Sequence, residues 1–159
     1  MCRIVSMGDV KTMEIYQLYD RAYAIASHAH EGQHDKAGRD YILHPVRVAE
    51  KCNTVKAKIV ALLHDTIEDT DVTADYLRKQ GFPEEIVEAV LSVTRQEGET
   101  YDDYVLRAAA NPIGREVKLA DLEDNMDIRR LNEITVCDIA RLRKYLRAWH
   151  SLQDDSMTS

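Results

Sequence analysis

Four residues have side chains suited to holding a divalent cation: His44, His64, Asp65 and Asp121. Metal-assisted hydrolysis needs imidazole nitrogens and carboxylate oxygens that converge on one point. His64 and Asp65 close an apolar run, Ile59 to Leu63. Polar side chains projecting from a buried helix cost on the order of a few kcal/mol unless partnered, and a metal would partner both at once. Glu68 and Asp69 follow at four-residue spacing. On one continuous helix they would share a face with the doublet, one turn further on. Such crowding of like charge is costly without a cation. A His-Asp doublet alone is a weak signal, since His34-Asp35 is another, in a polar loop. The second cluster is VKLADLEDN, Val117 to Asn125. There Asp121 and Asn125 lie four apart, so Asp121 can complete a metal site while Asn125 hydrogen-bonds a ligand beside it.

The elements that must position these residues read as helices. Ile15, Leu18, Tyr19, Ala22, Ile25, Ala26 and Ala29 form a 3.6-residue stripe that predicts a helix at about 11–30, stopped by Gly32. Residues 32–43 are loop-like, and Pro45 suits the first position of the next helix. The segment 56–68 predicts a buried central helix with His64 and Asp65 near its end. Thr73 and Thr100 are N-caps, Gly81 follows a short helix, and Pro83 opens another. Asn111-Pro112 is a break. Two more helices are expected at about 115–131 and 138–152. No strand-like alternation persists, so the fold class is all-α. The division is an N-terminal extension at 1–10, one domain at 11–152 and a disordered tail at 153–159.

The 159 residues suit one domain with a real core, at 45% hydrophobic and 31% charged. No stretch approaches a membrane span, and Met1 to Val10 has no apolar signal-peptide core. Cys2, Cys52 and Cys137 are too few and too scattered for a disulfide framework or a zinc site, which points to the cytoplasm. A net charge of −7 argues against a nucleic-acid partner but not against a small anionic substrate met by a local cation or a metal.

Three segments resemble a known family. AHEGQHDKAGRDYILHPVRVAE (29–50) resembles the opening of the RelA/SpoT hydrolase domain, ALLHDTIEDT (61–70) its central motif, and VKLADLEDNM (117–126) its third. RLRKYLRAW (141–149) resembles its last helix. The segments fall in family order, a far more specific signal than one doublet. The resemblance implies a single HD-domain helical bundle of about seven to eight helices, here of the stand-alone small alarmone hydrolase type. His44, His64, Asp65 and Asp121 would hold one divalent ion, most commonly manganese in this family. Glu68 and Asp69 would position or deprotonate the attacking water. Lys36 would meet phosphate, and Asn125 would touch the ribose. Tyr145 and Trp149, four apart on the last helix, fit core packing first, and Tyr145 closing the pocket against the substrate is the alternative. The implied reaction removes the 3′-pyrophosphate of guanosine tetra- or pentaphosphate. Rival readings are an HD phosphohydrolase acting on another phosphorylated nucleotide or cofactor, and a non-catalytic alarmone-binding module. One departure stands out. Asp35 occupies the position where the family usually has an Arg that stacks on guanine, and Arg39 is a candidate to substitute for it from the same loop.

Overall fold

Ile59, Val60, Ala61, Leu62 and Leu63 have no exposed surface, and the helix that carries them is the centre of the molecule. A computed structural model describes residues 7–154. In chain order its helices are α1 (Met7–Ala29), α2 (Leu43–Lys51), α3 (Val55–Leu63), α4 (Thr66–Asp69), α5 (Ala74–Lys79), α6 (Glu84–Ser92), α7 (Tyr101–Ala110), α8 (Pro112–Asn125) and α9 (Val136–Gln153). A 3-10 turn spans Ile128–Arg130. Among the described residues there is no strand, only one bridge between His34 and Asp40. The all-α expectation holds. Among the described residues the expected seven or eight helices become nine, because the central helix is broken into α3 and α4.

Helix α3 packs against α1, α2, α6 and α8. Each buried Leu or Ile there contributes roughly 1.5–3 kcal/mol. A smaller core of Val105, Leu122, Ala148 and Leu152 joins α7, α8 and α9. Gly114 lets α8 pass close to α6, since a Cβ there would fall 2.1 Å from Ser92 Oγ. The caps explain several boundaries. Thr73 and Thr100 accept from Tyr76 and Asp103 N–H as expected. Thr54, Asn111 and Thr135 cap α3, α8 and α9, the last with a capping box through Asp138.

Three boundaries correct the sequence reading. Pro45 is the third residue of α2, not the first, so His44 lies inside the helix. An N–H is dispensable anywhere in a first turn, so this position costs no more. Helix α8 starts at Pro112 and ends at Asn125, six residues before the expected end at Leu131. The central helix stops at Leu63. There His64 Nδ1 bonds the Ala61 carbonyl at 2.7 Å and Thr66 Oγ1 the Leu63 carbonyl at 2.7 Å, so side chains meet carbonyls that a longer helix would use.

Part of the expected N-terminal extension, from Met7, belongs to α1, and residues 1–6 lie outside the described residues. Gln153 ends α9 and Asp154 caps it, and the rest of the expected tail lies outside the described residues. No helix among the described residues is long and apolar enough to cross a membrane.

Candidate metal centre and adjoining cleft

Helix α2 supplies His44, the break between α3 and α4 supplies His64 and Asp65, and α8 supplies Asp121. Ligand atoms of His44, His64 and Asp121 all lie within 4.8 Å of one another, and all three residues are buried. His44 Nε2 is 3.3 Å from Asp121 Oδ1 and 3.7 Å from Asp65 Oδ2. His64 Nε2 is 3.0 Å from Asp65 Oδ2 and 3.7 Å from Asp121 Oδ1. Three of the four residues proposed from sequence as ligands, His44, His64 and Asp121, therefore meet at one buried point, and half-buried Asp65 lies at its edge, beside both imidazoles.

The hydrogen bonds behind the imidazoles test whether a cation fits. The Ala61 carbonyl can only accept, so His64 Nδ1 carries the proton and Nε2 presents a lone pair. His44 Nδ1 donates to Asp124 Oδ2 at 2.7 Å, which turns its Nε2 inward in the same way. A carboxylate behind a metal-facing imidazole is a common way to fix the tautomer. His64 Nε2 is buried without a hydrogen-bond partner. Two imidazole lone pairs then face the Asp65 and Asp121 carboxylates, an arrangement that suits a cation. The protonation equilibria agree. Burial opposes charge at His64 and His44, yet the carboxylates of Asp65 and Asp121 at His64, and of Asp121 and Asp124 at His44, hold both above the ordinary histidine range. Burial likewise disfavours the Asp121 carboxylate, but Lys118 and the two imidazoles keep it well below its usual range. The donor set fits a divalent metal.

Each ligand is braced. Tyr41 Oη donates to Asp65 Oδ2 at 2.7 Å. Lys118 Nζ, buried, donates to Asp121 Oδ2 at 2.8 Å, and Asn125 Nδ2 donates to Asp121 Oδ1 at 2.5 Å. Asp124 also accepts from Arg47 Nε at 2.8 Å and from Arg130 Nη2 at 3.1 Å, and despite burial its pKa is held down to about 2 by His44 and Arg47. Tyr41, Lys118 and Asp124 were missed from sequence. Helical periodicity held the signal for two of them, because Lys118, Asp124 and Asn125 lie three or four residues from Asp121 on one face.

Glu68 and Asp69 are exposed on α4. The break before α4 corrects the expectation that they share a continuous helical face with His64 and Asp65. Glu68 Oε2 accepts from Arg95 N–H at 3.0 Å. Asp69 is raised by partial burial and by the charges of Asp65 and Glu68.

Beside the centre opens a cleft of about 300 Å³, bounded by the loop 34–37, the 3-10 turn and α9. Tyr41, His44 and Asn125 form its metal-side wall, and Lys36, Arg130, Arg141 and Tyr145 line the remainder. Lys36 and Arg141 both pair with Asp138, at 3.2 and 3.1 Å. Arg39 is exposed and lies outside the cleft lining. Asp35 Oδ1 accepts from Ala37 and Arg39 N–H, each at 2.9 Å, and its Oδ2 is 3.7 Å from Arg130 Nη1. Asp35 thus ties the loop, and the nearby cation comes from the 3-10 turn, a pairing across 95 positions that sequence reasoning did not foresee. His30 is buried against Tyr41 and bonded to Gln33, while His28, His34 and His150 are exposed.

An all-helical bundle that gathers two imidazoles and two aspartates from a second helix, a central break and a late helix has the construction of an HD domain. No protein-family model matches the chain. It is 36% identical over 118 residues to the guanosine-3′,5′-bis(diphosphate) 3′-pyrophosphohydrolase of Aquifex aeolicus, covering 67% of this chain and 17% of that protein. It is 33% identical over 145 residues to the GTP pyrophosphokinase of Streptomyces coelicolor, covering 82% of this chain and 17% of the relative. A solved structure described as a metazoan ortholog of SpoT that hydrolyses ppGpp superposes with a TM-score of 0.72 at 21% identity, over 86% of each chain. The chain thus spans about a sixth of the length of these curated relatives. By sequence and fold it is an HD-domain protein of the RelA/SpoT hydrolase kind.

Proposed function

We propose that this chain removes the 3′-pyrophosphate of guanosine tetra- or pentaphosphate, releasing pyrophosphate and leaving GDP or GTP. The observation that carries the reading is the buried convergence of His44, His64 and Asp121, with Asp65 Oδ2 3.0 Å from His64 Nε2, at the wall of a cleft sized for a small ligand. One divalent ion, manganese in our reading, would be held there, where a metal lowers the pKa of water and draws charge from a phosphoryl oxygen. Lys118 and Asn125 fix the Asp121 carboxylate, and Tyr41 fixes that of Asp65. Glu68 and Asp69 orient the attacking water and accept its proton, and the raised pKa of Asp69 suits that task. Water adds to the phosphorus on the ribose O3′, the P–O3′ bond breaks, and O3′ gains a proton. Lys36 meets phosphate, Asn125 meets the ribose, and Tyr145 closes the cleft. Arg39 reaches the ligand only if its loop rearranges. Such an enzyme would act in the cytoplasm, in the stringent response, on a small nucleotide rather than on nucleic acid or membrane.

Asp35 favours a second reading, an HD phosphohydrolase acting on another phosphorylated nucleotide. Its carboxylate ties the loop where the family's Arg would offer a stacking cation. Incubating manganese-loaded protein with a panel of 3′- and 2′-phosphorylated guanine and adenine nucleotides, with products identified, separates the two. Release of pyrophosphate from ppGpp in preference to the adenine substrates supports the first reading. Turnover confined to another nucleotide supports the second.

A further inference from the structure

The loop 93–100 joins α6 to α7 and carries the backbone amide that meets Glu68. The last carbonyls of a helix have no partner within it. At the end of α6, one face of α7 supplies the donors. Thr100 caps α7, and Tyr104 and Arg107, three apart, share a side of it. Tyr104 Oη donates to the Val93 carbonyl at 2.5 Å, and the Arg107 guanidinium lies over the Tyr104 ring, 5.6 Å from its centroid. The five N–H groups of Arg107 make five hydrogen bonds. Nη1 donates to the Leu91 and Ser92 carbonyls at 2.7 and 3.1 Å. Nη2 donates to the Thr94 carbonyl and to Glu99 Oε2, and Nε to Glu99 Oε1, each at 2.7 Å. The Arg107 guanidinium holds the Glu99 carboxyl down to about 2, so the pair stays charged at neutral pH. Glu99 in turn closes the loop, accepting from Gln96 N–H on Oε2 and from Arg95 Nη2 on its carbonyl, both at 3.0 Å.

Most of these bonds do no more than cap α6. The bond to Thr94 reaches further. The Thr94 carbonyl and the Arg95 N–H belong to one peptide group, planar and trans, so they point in opposite directions. Arg107 Nη2 holds its oxygen end at 2.7 Å, and its nitrogen end donates to Glu68 Oε2 at 3.0 Å. Among the described residues no other group donates to the Glu68 carboxylate. Glu68 is exposed on a four-residue helix, where a long side chain has several rotamers open to it. A general base works only within hydrogen-bond reach of its water, so one fixed rotamer matters. Asp69 is tied elsewhere, through its own carbonyl, which accepts from Gln33 Nε2 at 3.4 Å.

We propose that Arg107, which lies outside the cleft lining, is a positioning residue that fixes the Glu68 carboxylate through the Thr94–Arg95 peptide group. Glu68's task rests on the hydrolase reading above, whereas the link from Arg107 to Glu68 can be tested without it.

Arg107→Gln should lower kcat by about tenfold, the scale of one charged hydrogen bond, with KM and bound manganese unchanged. In a Glu68→Gln background the same change should cost nothing further in kcat. Equal losses in both backgrounds overturn the positioning role, because a merely structural contribution would add. Amide hydrogen exchange reads the link without activity. At Arg95 it should quicken by about tenfold in Arg107→Gln, while the amide of buried Leu62 stays as slow as in wild type. Glu99→Gln keeps the shape of the side chain and removes its charge. It should reproduce both effects at a few-fold, and it carries the test if Arg107→Gln does not fold. If wild type hydrolyses no nucleotide, the hydrolase reading falls, and faster Arg95 exchange in the variants upholds the link to Glu68. Arg95 exchange unchanged in both variants overturns that link whatever the activity.

Discussion

The candidate metal centre and the cleft beside it are built differently. At the centre, every proposed ligand is buried or half-buried and held from behind: His64 by the Ala61 carbonyl, His44 by Asp124, Asp65 by Tyr41, Asp121 by Lys118 and Asn125. In the cleft, the proposed contacts lie on a loop and on the partly exposed face of α9, joined by pairs such as Lys36–Asp138, where the lysine side chain is 57% exposed. Buried, fully partnered polar groups are expensive to alter, and exposed pairs contribute about 1 kcal/mol or less. The centre can therefore keep its chemistry while the cleft changes its ligand, and Asp35 is a change of that second kind.

The largest effects should come from the centre. Asp121→Asn should reduce hydrolysis to background, because the remaining oxygen cannot carry the charge that the cation needs. Next come Glu68→Gln and Asp69→Asn, which should keep the metal yet lose about 100-fold in kcat, a typical general-base contribution. Wild-type rates in both variants would remove these acids from the mechanism. Lys118→Met should weaken metal affinity by about 10- to 100-fold, the usual scale for a group that orients a ligand. Metal titration checks this, and an unchanged affinity would make Lys118 a packing residue only.

The pH dependence of stability follows from the same contrast. In metal-free protein His44 and His64 have raised pKa values. Their contribution is complete below the ordinary histidine range and is lost as pH rises through the raised values. A metal replaces those protons, so the gain in Tm on adding manganese should grow as pH rises from the ordinary histidine range through the raised values. A gain that is flat across that window would mean that the imidazoles are not at the metal. Asp124, held down to about 2, has the opposite sign. Its contribution is present above about pH 4 and is lost as pH falls toward its folded value.

The smallest effect belongs to the cleft. Asp35→Asn keeps the oxygen that ties the loop and removes a negative charge, so KM for a guanine nucleotide should fall by a few-fold at low salt with kcat unchanged. Asp35→Arg would lose the bonds to Ala37 and Arg39 N–H, and stability should drop by about 1 kcal/mol. An Asp35→Arg protein as stable as wild type would show that the loop does not need its tie.

What the sequence revealed divides along the same line. The apolar run Ile59–Leu63 and the caps Thr73 and Thr100 are local signals, and the helices they imply are present. His44, His64, Asp65 and Asp121 stood out by residue type and by the resemblance of the segments that carry them, and the structure brings His44, His64 and Asp121 within 4.8 Å of one another. The break after Leu63 was not, because it depends on His64 and Thr66 side chains capturing carbonyls that a helix would otherwise use. Tyr41 on Asp65, Asp35 beside Arg130 and Lys36 on Asp138 are pairs between distant segments, and no local pattern encodes them.

The central claim is that four acceptors around one buried point hold a divalent ion. Elemental analysis of protein dialysed against manganese, for wild type, His64→Ala and Asp65→Ala, tests it most directly. About one ion per wild-type chain is expected, with waters completing its coordination, and loss of that ion in both variants while the fold persists by circular dichroism. Full retention of metal in both variants would contradict it.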